Sequence, residues 1–334
     1  MAATLEVLDE VGRGGTCVVH RGVLRGEHGT GRPVAVKRLL PERRVDPTSV
    51  DLFVQEAKLA TRLNHPRILQ AFELRKDEDG YLLLYEWIDG CTLDAIPGPW
   101  SAGQVATVGR AVCEALSYLH TLRDGAIVHR DVSPSNVFIT RAGGVKLGDL
   151  GVAYCVDSAG PVPQAITRGF GAPEQLAQGR VDARADVYAL GKTLLTLTDD
   201  SKLIGVLERA TQDSPEARFE SADALSSSLG EASETVSPQE IAALLDAPAP
   251  RPVLDHAVRS ILGGSLEPAS EAQATPVEAP EPVARADTRS NVRANVRGEG
   301  SARWLGLAPW IAAALLTSAG VWWSQQRRPS AQPN

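Results

Sequence analysis

Residues 129–136 read His-Arg-Asp-Val-Ser-Pro-Ser-Asn, and the other motifs of the chain take their meaning from their order around this octapeptide. It sets a carboxylate, Asp131, five positions before a carboxamide, Asn136. Immediately after it, Val137-Phe138-Ile139 has the character of a short strand. A second strand-like run, Val145-Lys146-Leu147, ends in Gly148-Asp149-Leu150-Gly151, which places another carboxylate at a strand end.

Upstream, Val11–Val19 reads VGRGGTCVV. Glycines at 12, 14 and 15 let backbone N–H groups approach phosphate oxygens without a Cβ in the way. The run Val34-Ala35-Val36 predicts a buried strand that ends in Lys37. Asp51–Leu63 has helical periodicity, with Leu52, Phe53, Leu59 and Leu63 able to share an inward face and Glu56 on it or at its border. Tyr81–Ile88, YLLLYEWI, is continuously apolar apart from Glu86 and predicts a buried strand leading into Asp89-Gly90. Val105–His120 carries a core-facing helical stripe of Val108, Val112, Ala115, Leu116 and Leu119.

Taken in order, these segments resemble the eukaryotic-like (Hanks-type) bacterial serine/threonine protein kinases over about residues 5 to 229. Ala172-Pro173-Glu174 and Asp186-Val187-Tyr188-Ala189-Leu190-Gly191 extend the match and separate it from small-molecule phosphotransferases. The resemblance implies an α+β, two-lobed fold: a small β-rich N-lobe, a mostly helical C-lobe, and ATP with Mg²⁺ between them. It implies that Asp131 accepts the acceptor hydroxyl's proton, that Lys37 held by Glu56 positions the phosphates, and that Asn136 and Asp149 hold magnesium. It implies that Gly12, Arg13, Gly14 and Gly15 cover the phosphates, with Val19 and Ala35 above the adenine and Phe138 below it. Tyr85 takes the gatekeeper position, and the Glu86 and Ile88 backbones supply hinge groups. By the same resemblance Thr167 is expected to orient the acceptor hydroxyl and Arg218 to pair with Glu174.

The chain departs from the family pattern in several places. Ser133 stands where a lysine usually neutralises the transferring phosphoryl group, which predicts slower transfer. Cys17 replaces the third loop glycine, and Leu150 replaces the phenylalanine after Asp149. Only Lys192–Ala217 separates Gly191 from Arg218, so the C-lobe is shortened and lacks room for the usual docking helix. In the activation segment Ser158 is the better switch candidate for a clamp by Arg130; a loop held by packing alone is the other reading. Ser133, Cys17 and the trimmed C-lobe keep open a pseudokinase, a membrane-tethered nucleotide-binding scaffold.

The 334 residues carry a net charge of −7 with no basic stripe, which argues against a nucleic-acid partner. The four cysteines form no CxxC pair and predict reduced thiols, although Cys17 in the phosphate loop is a conceivable redox point. These features predict a kinase domain over 1–230. An Ala/Pro/Glu-rich disordered linker follows at 231–303, with apolar patches at 241–245 and 253–262 that are either docking helices or transient ones. Residues 304–323, WLGLAPWIAAALLTSAGVWW, contain no charge and, at about 1.5 Å per residue, reach about 30 Å, a bilayer core. The expectation is one transmembrane helix, a short tail at 324–334, and a cell-membrane protein whose kinase domain faces the cytoplasm, with arginines 285, 289, 293, 297 and 303 on the inner side. Expected partners are protein substrates, the membrane, and a second copy for autophosphorylation.

Overall fold

The computed structural model describes residues 3–123, 125–151, 153–155, 169–177 and 179–246. Thr167, Ser158, residues 247–303 of the expected linker and the predicted span 304–323 lie outside the described residues.

Five antiparallel strands build the N-lobe: β1 (Thr4–Arg13), β2 (Cys17–Arg25), β3 (Gly31–Leu39), β4 (Ala71–Asp77) and β5 (Gly80–Glu86), ordered β1-β2-β3-β5-β4. The apolar runs of β3 and β5 are continuous because both faces of the sheet are covered. Side chains alternate between faces. Val34, Val36, Leu82 and Leu84 form one small apolar cluster. Ala35, Leu83 and Tyr85 turn the other way into the main core. Lys37 follows the Ala35 parity, which points the buried ammonium at the inner face.

A short helix, α1 (Pro41–Arg44), leads to α2 (Pro47–Ala60) on that inner face. The helix begins four residues before the predicted Asp51 because Asp46 caps it, its carboxylate accepting from the Thr48 and Ser49 amides, and Pro47 takes the first turn. It ends at Ala60, short of the predicted Leu63. Its buried stripe is Phe53, Glu56, Ala57 and Ala60, so Glu56 lies on the inward face among apolar neighbours.

The C-lobe is assembled on α3 (Ala102–His120), whose Ser101–Gln104 capping box starts it three residues before the predicted Val105. Two small sheets lie against it: β6 (Gly90–Thr92), β8 (Val137–Thr140) and β9 (Val145–Leu147) in one, β7 (Ile127–Val128) with β10 (Tyr154–Cys155) in the other. Helices α4 (Pro173–Leu176), α5 (Arg184–Leu195), α6 (Ser201–Ala210) and α7 (Ala222–Ala232) complete it. Residues 196–200 alone join α5 to α6, so the shortening read from the sequence is visible as a missing docking helix.

The ordered chain passes the predicted boundary at 230. The Val236 amide donates to Thr107 Oγ1 at 2.8 Å, and α8 (Pro238–Ala242) buries Ile241 completely. Residues 231–246 therefore pack on the C-lobe and are not part of the expected linker, and the apolar patch 241–245 takes the docking-helix reading of its two. Among the described residues no helix is long and apolar enough to cross a membrane.

Candidate active site

Lys37 Nζ donates to Glu56 Oε1 at 2.7 Å and lies 3.6 Å from Asp149 Oδ1; all three side chains are buried. Burial drives the Lys37 ammonium toward losing its proton, but Glu56 and then Asp149 overcome that, and the net direction is up. For Glu56, burial dominates and pushes the carboxyl above its ordinary range, with Lys37 pulling it back. The proton therefore stays on nitrogen, while Glu56 depends on the donors around it. One ammonium faces two carboxylates, which leaves the cluster with an excess of negative charge suited to a divalent cation.

Asp131 and Asn136 face each other across their turn. Asn136 Nδ2 donates to Asp131 Oδ2 at 2.9 Å and to the Asp131 carbonyl at 2.7 Å. With that nitrogen turned to Asp131, the amide oxygen is the atom suited to a cation. The Asn136 carbonyl accepts from the Gly148 amide at 2.8 Å, tying this turn to the one that carries Asp149. Among the described residues no group of three or more His, Cys, Asp or Glu side chains is placed to hold a metal. One carboxylate and one amide oxygen, both hard donors, fit Mg²⁺ bound together with substrate phosphates.

Two backbone outliers belong to these turns: Arg130 at φ 68° and Asp149 at φ 54°. Non-glycine residues in this region cost free energy and persist where neighbours enforce them. Asp186 at the start of α5 accepts the His129 and Arg130 amides at 2.8 and 2.7 Å, and His120 Nε2 meets the same carboxylate at 2.8 Å. Gln175 donates to the Arg130 carbonyl at 3.0 Å. His129 Nε2 lies 2.9 Å from the Gly148 carbonyl, and Gly151 N donates to Asp149 Oδ1 at 3.0 Å. The expected Arg218–Glu174 pair is present and bidentate at 2.7 and 2.8 Å.

Val19, Ala35 and Phe138 are all buried in the main core. Gly12 and Arg13 sit within β1, paired with Val19 and Val18, and Gly14 N donates to the Cys17 carbonyl at 2.9 Å. Arg13 offers its backbone alone, since its side chain is bound to Glu10 at 2.6 Å on the surface. Glu86 is likewise a backbone candidate: its carboxylate accepts from Lys146 Nζ at 2.7 Å and from the Gln70 amide at 2.8 Å. Ile88, just past β5, is partly buried against the main core. Leu150 is buried, as an apolar replacement should be. The Cys17 thiol is buried and pushed up to about 11 by desolvation, so it is a small filler and not the redox point its place in the sequence allowed. Ser133 is fully buried, its Oγ 3.0 Å from Ser135 Oγ.

Sequence reasoning missed several contributors. A Cβ on Gly148 would stand 2.7 Å from Phe138 Cε2, so the large ring at the pocket floor requires glycine there. Gln175, and the reach of the Tyr85 hydroxyl to Glu56 at 3.0 Å, carried no signal in local pattern.

The protein kinase domain profile matches residues 5–244. The chain belongs to the protein kinase family. It is 34% identical over 213 residues to the serine/threonine-protein kinase PknB of Mycobacterium leprae, covering 60% of this chain and 33% of that protein. To PknB of Mycobacterium tuberculosis it is 34% identical over 236 residues, 64% of this chain and 37% of the relative. The tyrosine-protein kinase MasK of Myxococcus xanthus is 33% identical over 200 residues, 55% of this chain and 31% of that one. The chain thus spans about a third of the length of these curated relatives. Among solved structures, the Mycobacterium tuberculosis PknI kinase domain superposes with a TM-score of 0.54 at 27% identity, over 70% of this chain and 96% of that one.

Proposed function

We propose that this kinase-family chain transfers the γ-phosphoryl group of ATP to serine or threonine hydroxyls of proteins, at the cytoplasmic face of a membrane that it enters through residues 304–323. The observation that carries the catalytic part is the buried Lys37–Glu56 pair, 2.7 Å across, beside Asp149. An assembled pair of this kind is what phosphate positioning requires, and its burial is costly unless it is used.

In this reading Asp131 accepts or orients the acceptor proton, and Asn136 fixes its carboxylate. Lys37 holds phosphate oxygens. Asp149 and Asn136 hold Mg²⁺, which when bound neutralises charge on the phosphates. Gly12 to Gly15 cover the phosphates with backbone N–H groups. Val19, Ala35 and Phe138 enclose the adenine, with the Glu86 and Ile88 backbones at its edge. Thr167 near the acceptor, and a second copy as first substrate, belong to the same proposal. The serine/threonine preference follows the PknB relatives.

Ser133 favours one competing reading. Its hydroxyl occupies a fully buried position where a phosphate-neutralising charge is expected, as a nucleotide-binding scaffold would tolerate. The deciding experiment supplies the purified chain with γ-labelled ATP and Mg²⁺, with Asp131→Asn beside it, followed by phosphoamino-acid analysis. Label on serine or threonine that the variant lacks supports the kinase. Label on tyrosine changes the acceptor class, and ATP binding without label supports the scaffold.

A further inference from the structure

Tyr85 carries a hydroxyl that the reaction scheme leaves without a task. Its ring is 3% exposed at the inner end of β5. The hydroxyl donates to Glu56 Oε1 at 3.0 Å, and the same oxygen accepts from Lys37 Nζ at 2.7 Å. β5 and β3 are neighbours in the sheet, with Ala35 opposite Tyr85, whereas Glu56 comes from α2. The phenol therefore bridges sheet to helix at the one residue through which α2 meets the catalytic lysine.

The surroundings of Glu56 give that bridge its weight. Lys37 faces it from β3, Asp149 from the turn after β9, Cys17 from β2 and Tyr85 from β5. Asp149 repels the carboxylate, and the Cys17 thiol stays neutral. Among the described residues, Lys37 and Tyr85 are the side chains that donate to it. A phenylalanine would fill the same volume but leave a buried carboxylate one donor short, an expensive state. Burial keeps the phenol protonated and thus a donor. A competing partner is close at hand, because Lys37 is already 3.6 Å from Asp149.

We propose that Tyr85 is a positioning residue for phosphoryl transfer: its hydroxyl pins Glu56, and with it α2, so that Lys37 is held for the phosphates and Asp149 is left for the metal. The inference rests on the kinase reading above.

The test is Tyr85→Phe in the intact chain, read by kcat, KM for ATP and hydrogen exchange of the α2 amides. The expected result is a fall of about tenfold in kcat, the scale of one hydrogen bond to a charged group, with KM for ATP within about threefold. The α2 amides should exchange faster. In a Glu56→Ala background the same change should cost less than about twofold, since the acceptor is gone. Unchanged kcat and exchange in Tyr85→Phe would overturn the proposal. So would an equal loss in both backgrounds, which indicates packing. Wild-type transfer, measured in the same series, decides the kinase reading separately, and the exchange arm tests the pin even if no transfer is seen.

Discussion

The Asp131 carboxylate meets Asn136 Nδ2 at 2.9 Å inside a turn whose backbone is held by Asp186. Replacing it with asparagine keeps the shape and removes the proton acceptor. Asp131→Asn should lower transfer by about 10²–10⁴-fold, the usual contribution of a general base, while ATP affinity measured by calorimetry stays within about twofold. Gly148 tests the opposite side of the pocket. In Gly148→Ala the new methyl would press on Phe138 at 2.7 Å, and the ring must shift. Such overpacking costs about 1–3 kcal/mol, and the expected signature is a KM for ATP raised at least about fivefold with kcat less affected. The Lys37–Glu56 pair was legible through the ordered set of motifs that resembles a kinase, since each residue alone has an ordinary explanation. Gly148 and the Tyr85–Glu56 contact were not. Each depends on a partner brought close by sheet and helix packing, 29 residues away in the second case.

Among the elements, strand parity carried most of the information. The apolar runs of β3 and β5 are legible as strands, and alternation along them puts Ala35, Lys37, Leu83 and Tyr85 on the inner face. Helix starts were less legible: periodicity marks where a helix is buried, whereas Asp46 and Ser101 mark where it begins. Most of 231–246 has the composition of a linker, but its apolar patch 241–245 is legible as a docking helix: Ile241 is buried, and Val236, Leu244 and Leu245 pack against the same core. The close approach of α8 depends on Gly143, at φ 77°, since a Cβ there would run into the Pro238 carbonyl. Ile241 is fully buried, so Ile241→Ala should cost about 2–4 kcal/mol in urea unfolding of the intact chain. The same segment lies against the turn between β8 and β9, so exchange at residues 140–145 should rise with it. A stability change below about 0.5 kcal/mol would place α8 outside the cooperative domain.

For the whole molecule, Asp186 at the head of α5 is the joint on which the catalytic turn, α3 and the C-lobe helices converge. Residues 196–200 alone join α5 to α6, and under the proposed function this short C-lobe leaves substrate choice to what the chain is brought beside. A membrane attachment supplies such proximity. Residues 304–323 hold no charged side chain, and tryptophans at 304, 310, 322 and 323 suit the two interfaces. In the proposed reading, arginines at 285, 289, 293, 297 and 303 against 327 and 328 put the kinase domain on the inner side. Adsorption of those arginines to anionic lipid is the alternative route to the same membrane, and salt separates the two, because electrostatic attraction is screened within about 3 Å at 1 M. The intact chain should float with lipid vesicles at both low and 1 M salt, whereas a chain lacking 304–323 should stay with the soluble fraction at high salt. Flotation lost by the intact chain at 1 M salt would reduce the attachment to surface charge. Flotation kept by the deleted chain at 1 M salt would place the anchor elsewhere.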